Sequence, residues 1–145
     1  MSFPAPVPGL VIRYSYLWRD EFLKGQEEGV KDRPCALVLV THTEDGDEIA
    51  TVVPITHSLP RDTKDALEIP RDVKSRLGLD DERSWIVLTE ANRFVWPGPD
   101  LRPAIRGDAS SIAYGTLPNR FYAEVLARFL ESADTRRAKI TSRTE

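Results

Sequence analysis

Hydrophobic and polar positions alternate early in the chain. Leu10, Ile12, Tyr14, Tyr16 and Trp18 fall on one face and Arg13 and Ser15 on the other, so Leu10 to Trp18 predicts a half-buried strand. Cys35 to Thr41 instead carries the unbroken apolar run Ala36-Leu37-Val38-Leu39-Val40, the pattern of a strand covered on both faces. Glu44-Asp45-Gly46-Asp47 then reads as a hairpin turn. A third strand follows from Ile49 to Ile55, and Pro54 within it marks an edge or a bulge. Ser84 to Phe94, centred on Trp85-Ile86-Val87-Leu88, is a fourth strand, and Ser111 to Leu117 a short fifth.

Two stretches have helical spacing. Pro70 to Gly78 has proline in the first turn and glycine just past the end. From a cap at Pro118 or Asn119 to about Ala133, Phe121, Val125 and Phe129 recur every four residues beside Tyr122, Leu126 and Leu130, an apolar stripe. Between these elements lie an extended arm ending at Pro8-Gly9, a long polar loop from Arg19 to Lys31 with room for a short helical turn, another from Thr56 to Thr63, and the proline-rich Val95 to Pro103. Residues 134–145 hold Arg136, Arg137, Lys139 and Arg143 against Asp134 and Glu145 and read as a frayed, basic tail beyond a domain of residues 1–133. Short strands in hairpin order with a terminal helix predict a mainly β, α+β chain. It curls into a small barrel or two packed sheets with the last helix across one end.

Composition narrows the chemistry. At 145 residues the chain fits one domain and can bury roughly 70% of its unfolded surface, so no metal or disulfide is needed as a staple. Its net charge of −3 argues against a broadly cationic coat for nucleic acid and leaves room for a small basic cleft. A single cysteine, Cys35, and two histidines, His42 and His57, exclude an internal disulfide, an all-cysteine zinc site and a three-histidine site. No metal and no cofactor is expected. No apolar run has membrane-spanning length, and Pro4, Pro6 and Pro8 break an N-terminus that lacks a signal peptide's basic start. The expected location is the cytoplasm, with Cys35 reduced and in the core.

The order of motifs resembles the MazF/PemK family of toxin endoribonucleases. The residues that carry it are a glycine-started aromatic strand from Gly9 to Tyr16, and Arg33-Pro34 before Ala36 to Val40. Val52-Val53-Pro54-Ile55-Thr56, Glu68-Ile69-Pro70 and Ile86-Val87-Leu88 with Arg93 follow. Gly115-Thr116-Leu117 comes last, before the helix of Phe121 to Leu130. The resemblance spans Pro8 to Ala133. It implies an SH3-like small β-barrel with a short helix and a C-terminal amphipathic helix, a homodimer, and metal-independent cleavage of single-stranded RNA. It also implies a small, acidic antitoxin partner.

Cleavage of RNA by its own 2′-OH needs a base, a donor for the developing phosphoryl charge and an acid for the leaving 5′ oxygen. Arg33, with its planar fork, is the candidate phosphate clamp; otherwise it pairs with Asp32 or Glu28. Thr56 offers a hydroxyl at a strand end, or else caps its own loop. His57 suits proton transfer near neutral pH; Arg93 is a second arginine at a strand end. Glu90, Ser58 and Trp96 are the candidate RNA contacts, Trp96 by stacking. Trp18 is a weaker stacking candidate, and Trp85 reads as core. Asp80-Asp81-Glu82 reads as a solvated turn. Many family members place an acid just after the second arginine, whereas Phe94, Val95 and Trp96 stand here. That departure favours a second reading, a non-catalytic SH3-like binding module. In the nuclease reading the acidic Arg19 to Asp32 loop forms a lid over a cleft shared with the loop from Thr56.

Overall fold

The computed structural model describes residues 3–25, 31–105, 107–108, 111–135 and 138–143. Eight strands and three helices follow in the order β1 (Leu10–Tyr14), α1 (Arg19–Leu23), β2 (Arg33–His42), β3 (Glu48–Thr56), β4 (Ala66–Glu68), α2 (Arg71–Leu77), β5 (Trp85–Val87), β6 (Glu90–Val95), β7 (Ala113–Thr116), α3 (Asn119–Asp134) and β8 (Lys139–Ser142). The protein is therefore mainly β, in the α+β class. All eight strands belong to one sheet, ordered β4-β5-β3-β2-β1-β7, with β6 also on β3 and β8 on β6. Every ladder is antiparallel except β6 with β8. Among the described residues the ladders do not close into a ring.

β3 organises this sheet. One side pairs along its length with β2, from Cys35 opposite Pro54 to His42 opposite Glu48. The other side is split: Ile49 to Val52 pair with β6, and Ile55 and Thr56 pair with β5. Pro54 falls between these two partners, where a missing N–H costs no ladder bond. The proline thus sits in a central strand, not at an edge. The expected fourth strand is likewise two, β5 and β6.

Strand alternation sorts side chains to two faces. Val11, Ala36, Val38, Val53 and Ile55 pack with Val73 and Leu77 of α2 and with Val125 and Phe129 of α3. Ile12, Tyr14, Cys35, Leu37 and Val52 pack on the opposite face with Tyr16, Phe94, Trp96, Leu101 and Ile112. The apolar run of β2 is covered on both faces for that reason. Gly78 ends α2 in the left-handed conformation, φ 70°, as its position past the helix implies. No described helix is long and apolar enough to cross a membrane.

One loop expectation holds in part and one terminal expectation changes. Arg19–Leu23 forms the short helical turn allowed for in the first long loop, whereas Glu27 and Glu28 lie outside the described residues. The segment expected to fray carries β8, with Thr141 and Arg143 buried. Arg143 Nη1 donates to Ser15 O at 2.8 Å, to Asn92 Oδ1 at 3.0 Å and to Tyr14 Oη at 3.2 Å. Its Nη2 lies 2.9 Å from Asp100 Oδ2. These bonds join β8 to the end of β1, to β6 and to the proline-rich segment, an anchoring that tail composition does not reveal. Arg136 and Arg137 lie outside the described residues.

A cleft at the end of the central hairpin

Because Cys35 pairs with Pro54, Arg33 at the start of β2 and Thr56 at the end of β3 come to the same end of their hairpin. Here the chain leaves β1 through Trp18 and α1 and leaves β3 through His57, Ser58 and Leu59. Between these exits lies an open cleft of about 680 Å³, lined by Trp18, Glu21, Lys31, Arg33, Thr56 and the following loop to Arg61, and by Asp65 and Thr89. Arg33 and His57 also line a smaller adjoining cavity of about 150 Å³ with Asp80 and Ser84. The cleft wall therefore mixes basic groups with the acids Asp20, Glu21 and Asp65.

Arg33 is the notable member. Its guanidinium lies over the Trp18 ring, 4.8 Å from the centroid. Its Nε is buried and has no hydrogen-bond acceptor among the described residues. Asp32 does not pair with it. That carboxylate lies 3.8 Å from Arg13 Nη2 and 3.6 Å from Arg102 Nε. Arg33 is thus a cation held by an aromatic face and lacking an ion pair among the described residues.

Thr56 Oγ1 accepts a hydrogen bond from the Ser58 N–H at 3.1 Å; it caps its own loop, and its hydroxyl proton stays available. Ser58 is exposed in the cleft wall. His57 Nε2 lies 2.8 Å from Asp80 Oδ2, and Nδ1 lies 3.5 Å from Glu82 Oε2. Asp80 also accepts from Lys74 Nζ at 2.6 Å, and this bond, more than the nearby histidine, holds its carboxyl below the usual range. The Asp80 turn, read as merely solvated, in fact tethers the His57 loop to α2. Lys74, buried at 5% exposure, donates further to Ser84 Oγ and to the Glu82 carbonyl.

Three expected site residues stand elsewhere. Arg93 is exposed on β6 and lines a separate groove with Thr41, His42 and Ser142. It lies there because β6 pairs with the early half of β3, whereas Thr56 is at the late end. Trp96 is buried, stacks near Phe94 and donates from Nε1 to Pro4 O at 3.1 Å, so its ring is not free to stack on a base. Glu90 does not line the cleft but accepts from Tyr16 Oη and the Arg19 N–H, each at 3.0 Å. Burial raises its carboxyl above the ordinary value.

The cleft residues that the sequence did not single out are Lys31, Arg61, Asp65 and Thr89, all ordinary surface types in loops. Trp18 continues the alternation in the sequence, but β1 ends at Tyr14, and no local pattern marks the tryptophan as the partner of Arg33. Cys35 is fully buried and desolvation drives its thiol far upward, so it is an inert core residue. No protein-family model matches this chain, and no curated protein matches it.

Proposed function

We propose that the protein is an endoribonuclease of the MazF/PemK type, a toxin that cuts single-stranded RNA without a metal. The observation that carries this reading is Arg33, a half-buried cation with an unsatisfied Nε at the rim of a cleft beside Thr56 and His57. A phosphate bound there gives that guanidinium its missing acceptor and pairs its charge.

In the proposed step the substrate's 2′ oxygen attacks the adjacent phosphorus, and the P–O5′ bond breaks. The products are a 2′,3′-cyclic phosphate and a 5′-hydroxyl end. Arg33 stabilises the added phosphoryl charge, and the Thr56 hydroxyl donates to a phosphoryl oxygen. His57, oriented by Asp80, takes the 2′ proton after the exposed Glu82 carboxylate swings off Nδ1; the leaving 5′ oxygen takes a proton from water in the open cleft, and His57 then returns its own to solvent. Ser58 and Lys31 contact the RNA backbone. An SH3-like barrel, a homodimer, a cytoplasmic location and a small acidic antitoxin covering the cleft belong to the same reading.

A second reading, a non-catalytic binding module, is favoured by one observation: both ring nitrogens of His57 already face carboxylates. One experiment separates them. Purified protein is incubated with a long unstructured RNA in EDTA, beside Arg33→Ala. Cleavage that falls by about 100-fold or more in the variant supports the nuclease. Binding without cleavage supports the module. RNA neither cut nor bound at micromolar protein overturns both.

A further inference from the structure

Trp18 is not at the cleft by chance of a loop. The segment that carries it leaves β1 without a strand partner, and side chains of β6 replace the missing ladder. The Leu17 N–H donates to Asn92 Oδ1, and Asn92 Nδ2 donates to Leu17 O, both at 2.9 Å and both buried. One residue beyond the tryptophan, the Arg19 N–H is held by Glu90. The Trp18 N–H itself donates to Glu21 Oε1 at 3.0 Å, and the ring meets Tyr16 edge-on at a centroid distance of 5.2 Å. The backbone is therefore fixed on both sides of Trp18, and the ring is fixed by its neighbour. Such a frame suits an indole that must hold something else still.

What it holds is Arg33. An arginine with an unpartnered Nε and no ion pair among the described residues has little else to choose its rotamer. We infer that Trp18 is a positioning residue: its indole face fixes the plane of the Arg33 guanidinium so that the fork is presented to an anion in the cleft. The claim deepens the ribonuclease reading and its kinetic test rests on it. Glu90 and Asn92 act one step further back, by holding the segment.

Two variants test it, Trp18→Phe, which keeps an aromatic face, and Trp18→Leu, which keeps bulk without one. The first measurement needs no RNA. In ¹H–¹⁵N spectra the Arg33 Nε–H signal is assigned by its loss in Arg33→Lys. The expected result is a ring-shifted signal in the native protein, partly kept with Phe and moved to the ordinary arginine region with Leu, while the signals of buried Trp85 and Trp96 stay in place. An unchanged Arg33 signal in Trp18→Leu overturns the inference.

The second measurement is cleavage. Misplacing the guanidinium lowers kcat about 10- to 100-fold in Trp18→Leu with KM within about threefold, and Phe recovers most of the loss. A Leu variant that cuts at the native rate overturns the inference. So does a loss confined to KM, because Trp18 then touches RNA directly and does not act through Arg33. Native protein that leaves RNA uncut, with the spectral change intact, overturns the ribonuclease reading and leaves Trp18 as the residue that places Arg33.

Discussion

Arg33, Thr56, His57 and Ser58 come together at one cleft because they flank the same hairpin end. Glu90 shows the opposite case, since its partners Tyr16 and Arg19 are far away in sequence. Burial raises the Glu90 carboxyl above its ordinary 4.5, and the sign of the consequence follows. The folded protein binds this proton more tightly than the unfolded chain, so Glu90's contribution to stability is fully present below pH about 4.5 and is lost as pH rises through the higher folded value. Glu90→Gln removes that slope while keeping an acceptor for Tyr16 and Arg19. Urea midpoints of both proteins from pH 4 to 7 should diverge in favour of the glutamine form toward neutrality; parallel profiles refute the assignment. Lys74 gives a second residue-scale prediction. Its ammonium joins Asp80, Ser84 and the Glu82 carbonyl, and Lys74→Ala should cost about 2 kcal/mol in urea unfolding, moderated because Asp80 is half exposed. A loss under about 0.5 kcal/mol, the range of an ordinary surface change, contradicts that role.

Elements were legible where one period governs them. The doubly apolar run of β2 and the stripe of α3 each appear in the structure because burial on a defined face selects them; β1, read as half-buried from Leu10 to Trp18, is instead a strand of Leu10–Tyr14 covered on both faces, with Val11 in one core and Ile12 and Tyr14 in the other. Legibility failed where tertiary pairing decides. Pro54 looks like an edge signal, yet β3 is central and the proline occupies the gap between β6 and β5. No local pattern reveals such a gap. β7 offers an element-scale prediction. Its Gly115 has φ 143°, and a Cβ there would lie 3.1 Å from Leu77 Cδ2 of α2. Gly115→Ala should destabilise by about 1–2 kcal/mol, since the backbone is strained even if the leucine tip yields. Thermal or urea melts check this, and an alanine variant as stable as the native protein excludes that close approach of sheet and helix.

For the whole molecule, the deciding contact is one that composition disguised. Residues 139–143 look like a basic tail, but β8 extends the sheet beside β6 and Arg143 sits at 8% exposure between β1, β6 and Asp100. A buried guanidinium is costly unless paired, and removing one member of such a set strands the others. Arg143→Ala leaves Asp100 at 7% exposure with Arg102 Nη2, 3.9 Å away, as its remaining cation among the described residues, so a loss of about 3 kcal/mol, the low end for a broken buried pair, is expected in urea unfolding. Lys139→Ala, at an exposed site on the same strand, should stay within about 0.5 kcal/mol. The effect should also reach the cleft. Asn92 Oδ1 accepts from both Arg143 and the Leu17 N–H, so the clamp on β8 and the frame around Trp18 share one atom. In Arg143→Ala kept below its unfolding transition, the Arg33 Nε–H signal should broaden or shift although Arg143 does not line the cleft. A variant with native stability refutes the clamp, and one that is destabilised with the Arg33 signal unmoved refutes the link through Asn92.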